Sequence, residues 1–328
     1  MNAVDSHIHW IPDGYFELLS RRTSSPRAQR QGDGWMYLND DRDSFFVENE
    51  WSNLERQFET AHRTGMDMTL VSSMGIHSDL DGLPLELARE AARLVNEAWA
   101  GAQRERSGRF YAAAAVPLQD VDAAIAELDH AVTQLGLIGV SIPGSIAGEP
   151  LDAPRLEPFW ARVAQLGVPM FLHPTDGALL SSMRGYENAL YLSLGRVVDS
   201  SVAALRLVLN GTFDRHPGLR LLHFHAGGVL PYAAGRLDKN ASIGSLGERP
   251  TAYLRRMWVD TAMPHPLTLD MALKFYGNDR VLYGSDNPCW NPLAALEATR
   301  SLQLDGATET AVLGSNARTL LGLDGGCA

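Results

Sequence analysis

The feature that most limits how this chain can fold is an eightfold alternation of short apolar runs with longer helix-like segments. Val4–Trp10, Met66–Met74, Arg109–Leu118, Leu137–Pro143, Val168–His173, Leu219–His225, Met257–Ala262 and Arg280–Ser285 each read as a strand. Helical spacing lies between them, over Leu54–Gly65, Leu85–Arg106, Val121–Gln134, Pro154–Gln165, Ser201–Phe213 and Leu269–Phe275. Near-continuous apolar runs are what parallel strands covered on both faces require. Eight such units in 328 residues predict one (β/α)8 TIM barrel domain over 1–328, with long βα-loop insertions. A doubly wound open sheet is the competing arrangement. Two connections are too long for ordinary loops, a rim or lid insertion at 11–51 and the stretch from Pro174 to about Val198. The first carries Trp35, Tyr37, Phe45, Phe46 and Trp51, which suit the packing of an insertion, a subunit contact or a lid over a flat unsaturated ligand.

Charge narrows the class of ligand. Lys plus Arg total 28 against 39 Asp plus Glu, so the formal net charge is 28 − 39 = −11. A chain that grips nucleic acid or an anionic membrane needs a basic footprint, and this balance offers none globally. An anionic small molecule would have to find its positive counterpart locally, in a few arginines, a helix N-terminus or a metal ion. No apolar run approaches the ~20 residues of a membrane span. The opening Met1–His9 lacks the charged-then-apolar order of a signal peptide, so the cytoplasm is the expected location. Cys289 and Cys327 are too few for a disulfide framework or a cysteine-rich zinc site, and read as free thiols.

The chemistry concentrates at strand ends. His7 and His9 form H-x-H on strand one, where residues i and i+2 face the same side and two imidazoles can meet one ion. His173 closes strand five, His223 and His225 close strand six, and Asp286 follows strand eight. Alone, each is as readily a packing or turn residue. In a barrel their strand ends share one rim, where barrel enzymes place their sites. Three imidazoles and a carboxylate around a point suit one borderline divalent ion such as Zn²⁺, with Mn²⁺ or Fe²⁺ satisfying the same donors. Strand four ends without Lys, Glu or Cys to bridge a second ion, which predicts a mononuclear site. Spacing does not separate His223 from His225. The glycines Gly227 and Gly228 beside His225 favour it as the active-site imidazole, with His223 behind it or in a barrel layer. His77 and His265 follow strands two and seven and hold a weaker claim on the pocket.

Taken together, Asp5-x-His7-x-His9, His173-Pro174, His225-Ala-Gly-Gly-x-x-Pro231 with Gly235-Arg236, and Gly284-Ser-Asp286-x-Pro288 resemble the amidohydrolase superfamily. VPLQD at 116–120, GTFDRHP at 211–217 and VDTA at 259–262 extend the likeness over nearly the whole chain. The pattern is most similar to the branch of metal-dependent decarboxylases that use no organic cofactor, typified by 2-amino-3-carboxymuconate-6-semialdehyde decarboxylase and the resorcylate decarboxylases. The resemblance implies that His7, His9, His173 and Asp286 ligate the metal, that His225 handles protons, and that Arg236 meets a substrate carboxylate. It also implies a homodimer or higher homo-oligomer acting on a small-molecule carboxylate. The sequence departs from the pattern in reading H-A-G-G for H-G-G-G. None of Arg27, Arg30 and Arg42 matches the arginine of the first long loop.

The expected reaction is non-oxidative decarboxylation of an unsaturated or aromatic acid. The same donors would also serve a hydrolase of an amide, lactone or carbon–carbon bond, in which Asp286 or His225 takes a proton, or a hydratase of an unsaturated diacid. A barrel that keeps its metal only for structure would not need the separate imidazole of His225.

Overall fold

The computed structural model describes residues 3–38, 45–72, 76–175, 183, 185–241 and 246–323. Eight parallel strands form one sheet in simple sequential order: β1 (Val4–Ile8), β2 (Met68–Val71), β3 (Phe110–Ala114), β4 (Gly139–Ile142), β5 (Met170–Leu172), β6 (Leu221–His223), β7 (Trp258–Asp260) and β8 (Val281–Leu282). The first and last strands meet beyond β8. Ser6 N donates to Tyr283 O, Asp286 N to His7 O and His9 N to Asn287 O, at 2.8–2.9 Å, which brings the sheet round into a (β/α)8 barrel. All eight predicted strands are present, each shorter than its apolar run.

Side-chain alternation sorts the strands into two faces. Met170, Leu172, Leu221 and Val259 pack with Ala203, Ala204 and Leu207 of the outer helix Arg196–Leu209. Phe171, Leu222, Phe224, Trp258 and Leu282 share a separate inner cluster. The long helix Leu85–Glu105 buries Ala88, Ala91, Ala92, Val95 and Trp99, the i, i+3, i+4 stripe its sequence predicts. Asp120 caps Val121–Thr133 by accepting from Ala123 N at 2.8 Å, and Gly167 stops Glu157–Leu166 in the left-handed region at φ 64°.

The 11–51 insertion is a folded element. Helix Asp13–Ser20 is followed by a three-stranded antiparallel sheet, Arg27–Gln31, Gly34–Leu38 and Phe45–Val47. Phe16 stacks on Trp35, and both lie in one buried cluster with Tyr37, Val47 and Trp99 of the barrel helix. Its aromatic content is therefore mainly packing; Trp51 is the residue that reaches the rim. Among the described residues, no helix is long and apolar enough to cross a membrane.

Candidate active site

At the rim, three imidazoles are held by the same device. His7 Nδ1 donates to Asp260 Oδ2 at 2.6 Å, His9 Nδ1 to the Ser72 carbonyl at 3.2 Å and His173 Nδ1 to the Pro174 carbonyl at 3.1 Å. A carbonyl or ionised carboxylate can only accept, so each Nδ1 carries the proton and each Nε2 presents a lone pair. Those lone pairs converge. His7 Nε2 and His9 Nε2 are 3.1 Å apart, and Asp286 Oδ1 stands 3.3 Å from the first and 2.8 Å from the second. His173 Nε2, fully buried, has no hydrogen-bond partner among the described residues. Acceptors pointed at one another in a water-poor site repel unless a cation lies between them, so this donor set fits a divalent metal ion.

The electrostatics agree with that requirement. Burial and the neighbouring histidines hold His173 well below the usual imidazole range, and burial lowers His9. Burial opposes the charge on Asp286, but the histidines gathered around it outweigh that penalty and hold the carboxyl well below its usual range. These are the protonation states in which imidazole and carboxylate bind metals. His7 alone is raised, because Asp286 and Asp260 together overcome the penalty of its burial. Asp5 beneath it accepts from Ser285 N at 2.9 Å and Ser285 Oγ at 2.6 Å, tying β1 to the end of β8; burial pushes its pKa up to about 6.

The two histidines of β6 part company. His223 points outward and meets Ser200 Oγ of the outer helix at 3.0 Å; burial pushes its pKa down to about 3. Phe224 points inward and stacks on His7 at 3.8 Å. Strand alternation would send His225 outward again, but the backbone turns left-handed at His225 (φ 57°), Ala226 (φ 56°) and Gly227 (φ 74°). That reversal swings His225 into the rim, where its Nε2 lies 3.5 Å from Asp286 Oδ2. Ligand atoms of His7, His173, His225 and Asp286 all fall within 4.8 Å of one another. The glycines act differently from expectation. A Cβ on Gly227 would collide with the Tyr276 hydroxyl, and one on Gly228 with Ser201 Oγ and the Val197 carbonyl, so they admit neighbouring helices rather than a ligand.

Other expected residues fall elsewhere. Arg236 is exposed on the helix Leu230–Asn240, outside the cluster of the rim. His265 caps the helix Pro266–Tyr276, its Nδ1 accepting from Leu267 N at 3.3 Å. Arg27 and Arg30 lie on the insertion sheet, Arg30 over Trp35. Arg42, Cys327 and the side chain of His77 lie outside the described residues. Cys289 is exposed as a residue, yet its Sγ lies within 4.8 Å of the His9 and Asp286 ligand atoms, and burial raises the thiol well above its usual range.

Three further contributors join the site, of which the sequence offers only Trp51, as packing, subunit contact or lid. Gln57 donates to the His9 carbonyl at 3.1 Å and to Glu50 O at 2.8 Å while accepting from Asn287, stapling the insertion to both β1 and β8. Trp51 lies parallel to His9, with ring centroids 6.4 Å apart. Asp260, inside the VDTA stretch, orients His7. A buried Asp at the end of an otherwise apolar strand was the available signal for the last.

Comparison with known proteins agrees with this construction. The family model described as Amidohydrolase matches residues 4–323. A gamma-resorcylate decarboxylase from Rhodococcus jostii is 34% identical over 264 residues, covering 73% of this chain and 78% of the relative. A 2-amino-3-carboxymuconate-6-semialdehyde decarboxylase from Dictyostelium discoideum is 24% identical, covering 98% and 92%. The crystal structure of a 2,6-dihydroxybenzoate decarboxylase from Rhizobium superimposes with a TM-score of 0.81 at 26% identity, covering 99% of this chain and 100% of that one. A dihydroxybenzoic acid decarboxylase from Polaromonas, solved with manganese and 2-nitroresorcinol, shares the fold at a TM-score of 0.79 and 22% identity, covering 99% and 98%. The chain belongs to the amidohydrolase family, in its decarboxylase branch.

Proposed function

We propose that this protein catalyses the metal-dependent, non-oxidative decarboxylation of an aromatic or otherwise unsaturated carboxylic acid, without an organic cofactor. The observation that carries the reading is the meeting of His7 Nε2, His9 Nε2 and Asp286 Oδ1 within 3.3 Å, with ligand atoms of His173 and His225 within 4.8 Å of those of His7 and Asp286. His7, His9, His173 and Asp286 hold one divalent ion, zinc, manganese or iron. When bound, such an ion supplies fixed positive charge that orients a substrate oxygen and stabilises the electron density left as CO₂ departs.

The chain's own groups do the rest. His225 delivers the proton that replaces the carboxylate on carbon, and its buried Nδ1 has no hydrogen-bond partner among the described residues. Asp286 has a second task, because its Oδ2 lies 3.5 Å from His225 Nε2 and orients that ring. Trp51 offers a flat apolar wall beside His9 that suits a planar substrate. Arg236, exposed beside Tyr232 at 86% exposure, would meet a substrate carboxylate, and at a subunit interface of a homo-oligomer it would serve both contacts. A cytoplasmic enzyme acting on small carboxylates, not on nucleic acid or membranes, completes the proposal.

The test is release of gas. The purified protein, reconstituted in turn with Zn²⁺, Mn²⁺ or Fe²⁺, is expected to release CO₂ or bicarbonate from at least one member of a panel of hydroxylated or amino-substituted aromatic and muconate-type acids. Chelation should abolish the release and metal should restore it. Water addition or hydrolysis with no loss of carbon would replace this reading with the hydratase or hydrolase one.

A further inference from the structure

Asp260 divides its two oxygens between the two halves of the site. Fully buried at the end of β7, it accepts from His7 Nδ1 through Oδ2 at 2.6 Å. Through Oδ1 it accepts from the amides of Ala226 and Ala262, both at 3.2 Å. Ala226 is the middle residue of the left-handed turn that swings His225 inward, and its own φ of 56° has no glycine to excuse it. A non-glycine residue stays in that region only when its surroundings hold it there. Gly284 closes the arrangement from β8, since a Cβ there would lie 2.8 Å from His7 Cβ and 3.0 Å from Asp260 Oδ2. No larger residue at 284 would leave the His7–Asp260 pair its place.

We infer that Asp260 is a positioning residue that fixes the tautomer of His7 and anchors the turn carrying His225, so that the ion-binding imidazole and the proton-carrying imidazole are set by one carboxylate. The inference rests on the reading of His7 as a metal ligand and His225 as the proton carrier. Outer partners of this kind govern metal affinity because a ligand histidine must keep its free lone pair on the nitrogen facing the ion.

Two variants separate the two tasks. Asp260→Asn keeps the volume and an acceptor for the Ala226 amide but turns an N–H toward His7, so His7 must accept at Nδ1 and carry its proton on Nε2. Asp260→Ala removes both contacts. In the metal-free Asp260→Asn protein, ¹⁵N NMR of the His7 ring should report protonated Nε2, against protonated Nδ1 in the wild type. Affinity for Zn²⁺ or Mn²⁺, measured by competition with a chelator, should fall about 10–100-fold. At saturating metal Asp260→Asn should recover kcat to within a few-fold, whereas Asp260→Ala should not. A wild-type tautomer and affinity in Asp260→Asn overturn the first task, and equal kcat in the two variants overturns the second. Should Asp260→Ala fail to fold, hydrogen exchange at the Ala226 amide reads the anchor directly: protection in the wild type and in Asp260→Asn upholds it, and fast exchange in the folded wild type overturns it. If the wild type releases no CO₂ from any acid while the tautomer and affinity changes are found, the decarboxylase reading fails and the positioning role of Asp260 stands.

Discussion

The ends of β1 and β6 carry the same three-residue pattern, His7-Ile8-His9 and His223-Phe224-His225, and the structure uses it in opposite ways. On β1 the backbone stays extended, and both imidazoles reach one point, with their Nε2 atoms 3.1 Å apart. On β6 the first histidine is spent on Ser200 beneath an outer helix and the second turns into the rim. The difference is a run of positive φ that begins at His225 and continues through Ala226 and Gly227. H-x-H predicts a shared face only while both residues remain in the β region, and His225 leaves it.

Alanine at each position should sharpen this contrast. His9→Ala is expected to lose metal and with it activity, by more than the roughly 100-fold that loss of an outer partner costs. His225→Ala should keep its metal and lose about 10²–10⁴ in kcat, the usual share of a general acid. His223→Ala should keep both metal and activity and lose about 2–4 kcal/mol of stability, from the cavity left by a fully buried ring and the lost Ser200 contact. Elemental analysis, steady-state kinetics and thermal melts read all three. Full activity in His225→Ala with full metal would break the assignment of the proton carrier.

A smaller effect tests the strained turn itself. Gly228 sits at φ 61° with Ser201 and the Val197 carbonyl against it, so Gly228→Ala should cost roughly 2–4 kcal/mol from strain and overlap together. Ala226→Gly relieves a left-handed alanine and should be neutral or stabilising by up to about 1 kcal/mol. The opposite ranking in urea melts would mean that the turn is not held as described.

Far from the rim, the smallest effect is expected at Glu157, whose carboxyl is held below its ordinary 4.5 mainly by the Arg215 hydrogen bond, with His216 adding to it. A lowered folded value contributes stability above the unfolded pKa and loses it as pH falls through the folded one. Glu157→Gln should therefore lower the melting temperature slightly at pH 7 and by progressively less as pH falls below about 4.5. A pH-independent difference would show that the loss is one of packing.

Much of the site was legible because its donors obey strand spacing or stand where a strand must end. His7, His9, His173 and Asp286 were found that way, and the eight apolar runs located every strand of the barrel. Gln57 was not legible, since nothing in the helical stretch Leu54–Arg63 distinguishes a polar residue that will face the rim from one that will face water. The aromatic insertion was read as packing, contact or lid, and only its pairing pattern shows that Trp35 and Tyr37 turn inward while Trp51 stands beside His9.

The order and number of the strands are written in the apolar runs, because burial on both faces demands such runs and solvent-facing helices demand a 3.6-residue period. The same runs place His7, His9, His173 and Asp286 at strand ends. Only the packed molecule settles which of His223 and His225 enters the site, and that Asp260 serves His7 and the Ala226 turn together. Periodicity is a local property and is written along the chain. The left-handed turn from His225 to Gly227, and a carboxylate shared between β1 and that turn, are settled only when elements more than thirty residues apart in the chain are brought into contact.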